Sequence, residues 1–169
     1  LNVVVRNDNT VRTVNEIKNQ RGNQPGNQEV LYTPVGETGR LLILAPQSYF
    51  NDLQPLVAWK KEKGIETDLV DIATVGNSQS AIKSYVSTYY GQYSDLMFLL
   101  LVGDHAEVNS FNAGMSGSEI KWSDSEYGQL AGNDKYPEIF VGRLAAASTG
   151  EVQTMVTRIV EYEKTPDMG

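Results

Sequence analysis

From Arg40 onward the chain alternates between short, dense apolar runs and longer stretches whose apolar residues recur every three or four positions. The run "LLILA" at 41–45 lies between Gly39 and Pro46 and predicts a buried strand. Leu53, Leu56 and Val57, continued by the aliphatic stem of Lys60, make a helical stripe, with Asn51 or Asp52 placed to cap it and Gly64 to end it. "ETDLVDI" at 66–72 alternates and predicts a second strand. Ile82, Tyr85, Val86, Tyr89 and Tyr90 share one face of a second helix, capped by Asn77 or Ser78 and stopped by Gly91. "LMFLLLV" at 96–102 is apolar at consecutive positions, so both its faces are buried and it belongs in the interior of a sheet. A Gly/Ser-rich loop is predicted over 105–121, and "EIFVG" at 138–142 is the fourth strand. "STGE" at 148–151 has the form of a capping box, opening a last helix that carries Val152, Met155, Val156, Ile159 and Tyr162.

Strands separated by helices predict an α/β fold: a largely parallel sheet with helices on both faces, the third strand interior. Functional groups in such sheets gather at the carboxyl ends of strands, where Asp104 and Arg143 fall. The first 31 residues differ in composition. "LNVVVR" predicts a short strand, Val11, Val14 and Ile17 a weak amphipathic turn, and "NQRGNQPGNQ" at 19–28 a connector. The boundaries are therefore 1–31 for a tail or linker and 32–169 for the globular body.

At 169 residues and 40% hydrophobic composition, the body can bury a core without staples. The net charge of −7 disfavours nonspecific nucleic-acid binding, because phosphates are repelled. The absence of cysteine excludes a disulfide, a thiolate zinc site or a cysteine nucleophile within this chain. No apolar run reaches transmembrane length.

Asp104 and His105, the only histidine, adjoin at the end of the third strand. Neighbours on extended chain point to opposite sides, so adjacency does not make them an acid–base pair. Asp124, Glu126, Asp134 and Glu138 offer hard oxygen ligands suited to calcium, against the plainer reading of a solvated acidic loop. No dinucleotide fingerprint, Walker lysine or nucleophile elbow is present. Trp59 and Trp122 read as packing residues.

Several blocks in one order resemble the gingipains, bacterial cysteine endopeptidases with a caspase-like fold: "YTPVGETGRLLIL" at 32–44, "LVAWKKEKGIETDL" at 56–69, "LLLVGDHAEV" at 99–108, "SEYGQLAGNDKYPEIFVGRLAA" at 125–146 and "RIVEYEK" at 158–164. The resemblance implies the N-terminal subdomain of a secreted or cell-surface zymogen. It implies that the catalytic histidine and cysteine lie downstream, so no catalytic or cofactor-binding residue is assigned here and His105 is not the catalytic histidine. It further implies a structural calcium ion between Asp104 and Glu138, completed by ligands from outside this segment. The C-terminal catalytic subdomain and peptide or protein substrates are the implied partners. Residues 1–31 resemble a propeptide junction. Leu31 stands where the family cleaves after arginine, and Arg21 is the alternative bond. A noncatalytic gingipain-like module, acting in binding or in a secretion apparatus, is the other functional class.

Overall fold

The computed structural model describes residues 4–7, 10–13, 39–132 and 134–165. The chain divides into two compact units, Leu1–Val35 and Gly36–Gly169. The boundary expected at 31/32, with its cleavage candidates, lies outside the described residues, as do Val14 and Ile17. The first unit contains an antiparallel hairpin, β1 (Val4–Asn7) and β2 (Thr10–Thr13), paired from Val4↔Thr13 to Asn7↔Thr10. Val11 is thus in a strand rather than the expected helical turn. The signal was present: "NDN" separates two runs rich in Val and Thr, which favour strands.

The second unit is built on β3 (Arg40–Ala45), β4 (Glu66–Asp71), β5 (Leu96–Val102) and β8 (Phe140–Leu144). They form one four-stranded parallel sheet in the order β4-β3-β5-β8. The expected interior place of 96–102 is therefore observed. Alternation along β3 divides the core in two. Leu41, Ile43 and Ala45, with Val102, meet Leu53, Leu56 and Val57 of α1 (Phe50–Glu62) and Val152 and Val156 of α4 (Thr149–Lys164). Leu42 and Leu44, with Leu99 and Leu101, face the other way. They meet Ile82, Val86 and Tyr89 of α3 (Gln79–Gln92), and Val108, Tyr127 and Ile139 from the connection between β5 and β8. Each fully buried Leu or Val side chain contributes roughly 1.5–3 kcal/mol of transfer free energy, so both layers are needed to hold the sheet.

Several boundaries differ from expectation. A 3₁₀ turn at Gln47–Tyr49 runs straight into α1, so Tyr49, not Asn51 or Asp52, occupies its N-cap. Asp71 closes β4 by accepting from the Ala73 amide, starting the one-turn α2 (Ile72–Val75). Ser78 caps α3 through the Ala81 amide, which frees Asn77 for another role. Gly91 lies inside α3, which continues to Gln92. Ser148 caps α4 through the Glu151 amide as expected, while the Glu151 carboxylate accepts from the Ala147 amide. The predicted loop at 105–121 contains a second hairpin, β6 (Phe111–Ser116) and β7 (Glu119–Ser123), turning at Gly117 with φ 63°.

Candidate functional site

The ladder between β5 and β8 continues past Val102, because the Gly103 amide donates to the Leu144 carbonyl. The chain then turns sharply. Gly103 has φ 124°, and a Cβ there would sit 2.7 Å from that of Glu107, so only glycine allows the turn. The Asp104 carbonyl accepts from the Glu107 and Val108 amides, and the Asp104 amide donates to the Ala146 carbonyl. One residue side chain spans this edge. Arg143, near the end of β8, donates through Nε and NH2 to both carboxylate oxygens of Asp124, at 2.7 and 2.8 Å. Its NH1 donates to the Gly103 and Asp104 carbonyls at 2.8 and 3.3 Å, and its NH2 also to Ser110 Oγ at 2.9 Å. That engages all five donors of a guanidinium.

The neighbouring loop is held equally closely. The Asn77 side chain accepts from the Asn109 amide and donates to the Ala106 carbonyl, while Gln79 donates to the Ser110 carbonyl. The buried Tyr127 hydroxyl donates to the Asn109 carbonyl. Burial, followed by the Asp124 charge, pushes its phenol up to about 12. His105 lies flat on Trp122, ring centroids 3.6 Å apart and planes 19° apart. Its Nδ1 accepts from the Ser110 amide at 3.4 Å. Trp122 is 43% exposed and thus a stacking partner, not the core packing residue expected. Burial pulls the Asp124 carboxyl upward most strongly, but hydrogen bonds from Arg143 and Ser110 and the Arg143 charge together hold it below its ordinary range.

This geometry is a scaffold and not an acid–base centre. His105 meets the amide of Ser110 and not its hydroxyl, so no Ser–His dyad exists here. Asp104 Oδ1 accepts from the His105 backbone amide, not from the imidazole. With its donors engaged, Arg143 presents none to an incoming carboxylate or phosphate.

Glu138 lies elsewhere. The strand expected at 138–142 is Phe140–Leu144, so Glu138 precedes β8 and does not end it. Phe98 pairs with Phe140 and Val102 with Leu144, which places Asp104 past one end of β8 and Glu138 before the other. The intervening strand is about 13 Å long at 3.3 Å per residue. The Glu138 carboxylate accepts from the Leu130 and Ala131 amides, and these bonds hold its pKa below the ordinary glutamate value. Lys83 closes the same turn from α3, donating to the Glu126 and Gln129 carbonyls. The remaining candidates also have local partners: Asp134 accepts from the Tyr136 amide, and Glu126 from the Ser123 and Ser125 hydroxyls. Among the described residues no group of three or more His, Cys, Asp or Glu is placed to hold a metal. Asp104 and Glu138, expected to flank one calcium ion, stand beyond opposite ends of β8. The Asp124–Arg143 pair and the roles of Ser110 and Asn77 were not legible in the sequence, where Arg143 stood out only as a strand end, Asp124 as an oxygen ligand and Asn77 as a helix cap.

A sheet of order β4-β3-β5-β8 with helices on both faces and a structured carboxyl edge defines a caspase-like α/β subdomain. The profile of peptidase family C25 matches residues 35–169, and the chain belongs to that family of cysteine peptidases. It is 35% identical over 140 residues to gingipain R2 of Porphyromonas gingivalis, covering 79% of this chain and 18% of that protein. It is 29% identical over 138 residues to Lys-gingipain of the same organism, covering 78% of this chain and 8% of that protein. The crystal structure of the Arg-specific cysteine proteinase gingipain R superposes with a TM-score of 0.66 and 32% identity, over 78% of this chain and 30% of that one. The chain thus spans less than a fifth of the curated relatives it matches. Among the described residues no helix is long and apolar enough to cross a membrane.

Proposed function

We propose that this chain is the framework portion of a gingipain-like cysteine endopeptidase whose nucleophile and base come from polypeptide outside these residues. The observation that carries the reading is membership of a cysteine peptidase family by a chain without a cysteine. The thiolate would attack the substrate carbonyl, the scissile C–N bond would break with the amine leaving protonated by the base's conjugate acid, and water would hydrolyse the resulting thioester to the carboxylate and the free thiol. The contribution of this segment is positional: the sheet, and the Arg143 strut that fixes the loops at its carboxyl edge. Export to the cell surface or medium, synthesis as a zymogen, and pairing with a catalytic subdomain belong to the same reading. The fold likeness to a solved complex of Porphyromonas gingivalis RgpB pro- and mature domains supports the last of these, at 31% identity and a TM-score of 0.66.

The test is hydrolysis of a peptide library by the complete polypeptide, before and after thiol alkylation. The expected result is turnover that alkylation abolishes, with none from the isolated 169-residue chain. Turnover by the isolated chain, or turnover insensitive to alkylation, overturns the reading. A complete polypeptide with no turnover would make this a noncatalytic module.

A further inference from the structure

Three of the eight large apolar side chains that stand exposed among the described residues belong to one element, the hairpin β6–β7: Met115, Ile120 and Trp122. They share a face. Met115 pairs with Ile120, paired residues lie on the same side, and Trp122 is two positions further along β7. Glu119, Lys121 and Ser123 alternate with them and face the other way, where Phe111, opposite Ser123, turns onto Tyr127 at a ring separation of 4.8 Å. The hairpin is therefore amphipathic, and its apolar side meets solvent.

Its root is fixed. Ser110 and Asp124 immediately precede and follow the hairpin, and the one guanidinium of Arg143 holds both. His105 stacks on the Trp122 ring and accepts from the Ser110 amide. The indole is thus an aromatic group held in place at the carboxyl edge, where sheets of this kind carry their function. A rigid aromatic side chain gives contact area at little cost in side-chain entropy. Met115 is the opposite, unbranched and adaptable, and suits partners that vary in shape. The two strands also differ as templates. Between Asn112 and Met115, β6 holds one residue more than the facing stretch of β7, a bulge that spoils its outer edge. β7 has no such bulge, and among the described residues no strand pairs with its outer side. A strand added there sets every second side chain level with Ile120 and Trp122. Residues 104–126 carry the carboxylates of Asp104, Glu107, Glu119, Asp124 and Glu126 against the single lysine Lys121, so an acidic strand is repelled.

We infer that the outer edge of β7 and the apolar face of the hairpin form an extended subsite for the peptide substrate, one that selects apolar residues at alternate positions and rejects acidic residues between them. The inference rests on the framework reading above, which makes an extended peptide the molecule this protein has to hold. Main-chain hydrogen bonds to β7 give the pairing its strength, whatever the sequence bound. Ile120, Trp122 and Met115 supply the selection, and the adaptable Met115 fits substrates of varied sequence better than one fixed partner.

The experiment gives the complete polypeptide matched peptides that are apolar at alternate positions, or carry serine at those positions, or carry glutamate between them. Binding is read from the anisotropy of labelled peptide with the thiols alkylated, and kcat/KM with the thiols free. The apolar version should be favoured over the serine version by about tenfold or more in both readouts, and the glutamate version should be disfavoured. Ile120→Thr and Trp122→Ser should each bring the apolar-to-serine ratio close to unity, while Ile120→Val and Trp122→Phe preserve it. The ratio is taken within each variant, so a general loss of stability does not move it. A ratio that Ile120→Thr and Trp122→Ser leave unchanged overturns the inference even where turnover, and with it the framework reading, is intact. So does protection of the outward-pointing β7 amides from hydrogen exchange before any peptide is added, which would mean that the protein itself or a second copy already covers the edge. Hairpin-dependent binding of the apolar peptide without turnover would support the subsite and overturn the framework reading instead.

Discussion

Replacing Arg143 by Met keeps the aliphatic bulk and removes the guanidinium. Asp124 then loses its two bonds from Arg143 and keeps only that from Ser110, the Gly103 and Asp104 carbonyls lose a donor, and so does Ser110 Oγ. The pair is largely removed from water, with side chains 14% and 19% exposed. Removing one partner of a buried pair costs about 3–5 kcal/mol, and the residual exposure of Asp124 puts this case near 3 kcal/mol. Arg143→Lys retains the charge but not the fork, and should cost about 1–2 kcal/mol. Asp124→Asn alone leaves a buried cation poorly paired, and in Arg143→Met/Asp124→Asn the two losses should overlap by about 1–3 kcal/mol. Urea unfolding of the four variants and the wild type, with m unchanged, reads these values as midpoint shifts. The pH dependence follows from the lowered Asp124 pKa. A depressed carboxyl stabilises the fold above its unfolded pKa, near 3.9, and that contribution is lost as pH falls through the lower folded value. Asp124→Asn should therefore be less acid-sensitive than wild type below about pH 4. An Arg143→Met cost within about 0.5 kcal/mol, or additive single and double variants, would refute the strut.

Glu163 joins the ends of the two helices on one face, accepting from Trp59 Nε1 at 2.9 Å, Lys60 at 2.6 Å and Lys63 at 3.2 Å. Glu163→Gln should lower stability by about 1–2 kcal/mol and shift Trp59 fluorescence; an unchanged emission spectrum would mean the indole does not depend on this carboxylate. Ser148→Ala removes the acceptor for the Glu151 amide and should cost about 1 kcal/mol by urea unfolding, a neutral result showing that Glu151 caps α4 unaided. Asp104→Asn and Glu138→Gln should change the melting temperature of the complete polypeptide additively with and without calcium. A calcium-dependent departure from additivity would mean that one ion couples them after all.

The alternation of "LLILA", the doubly apolar "LMFLLLV" and the stripe of Val152, Val156 and Ile159 determine by themselves which segments are strands and helices, because burial on one face or two is written in the period. Gly64 and Ser148 likewise mark their helix ends through local chemistry alone. Strand limits are different. Ile139 and Phe140 are both apolar, and only pairing with Phe98 decides that β8 begins at Phe140, leaving Glu138 outside the sheet and far from Asp104. The hairpin at 111–123 is masked by its Gly/Ser content, which reads as loop, although its strands pair with each other and Trp122 stacks on His105. The Arg143 strut joins residues 19, 33 and 40 positions apart, to Asp124, Ser110 and Gly103. No periodicity encodes those separations. They exist because parallel β5 and β8 end at the same level and leave one guanidinium within reach of every loop that departs there.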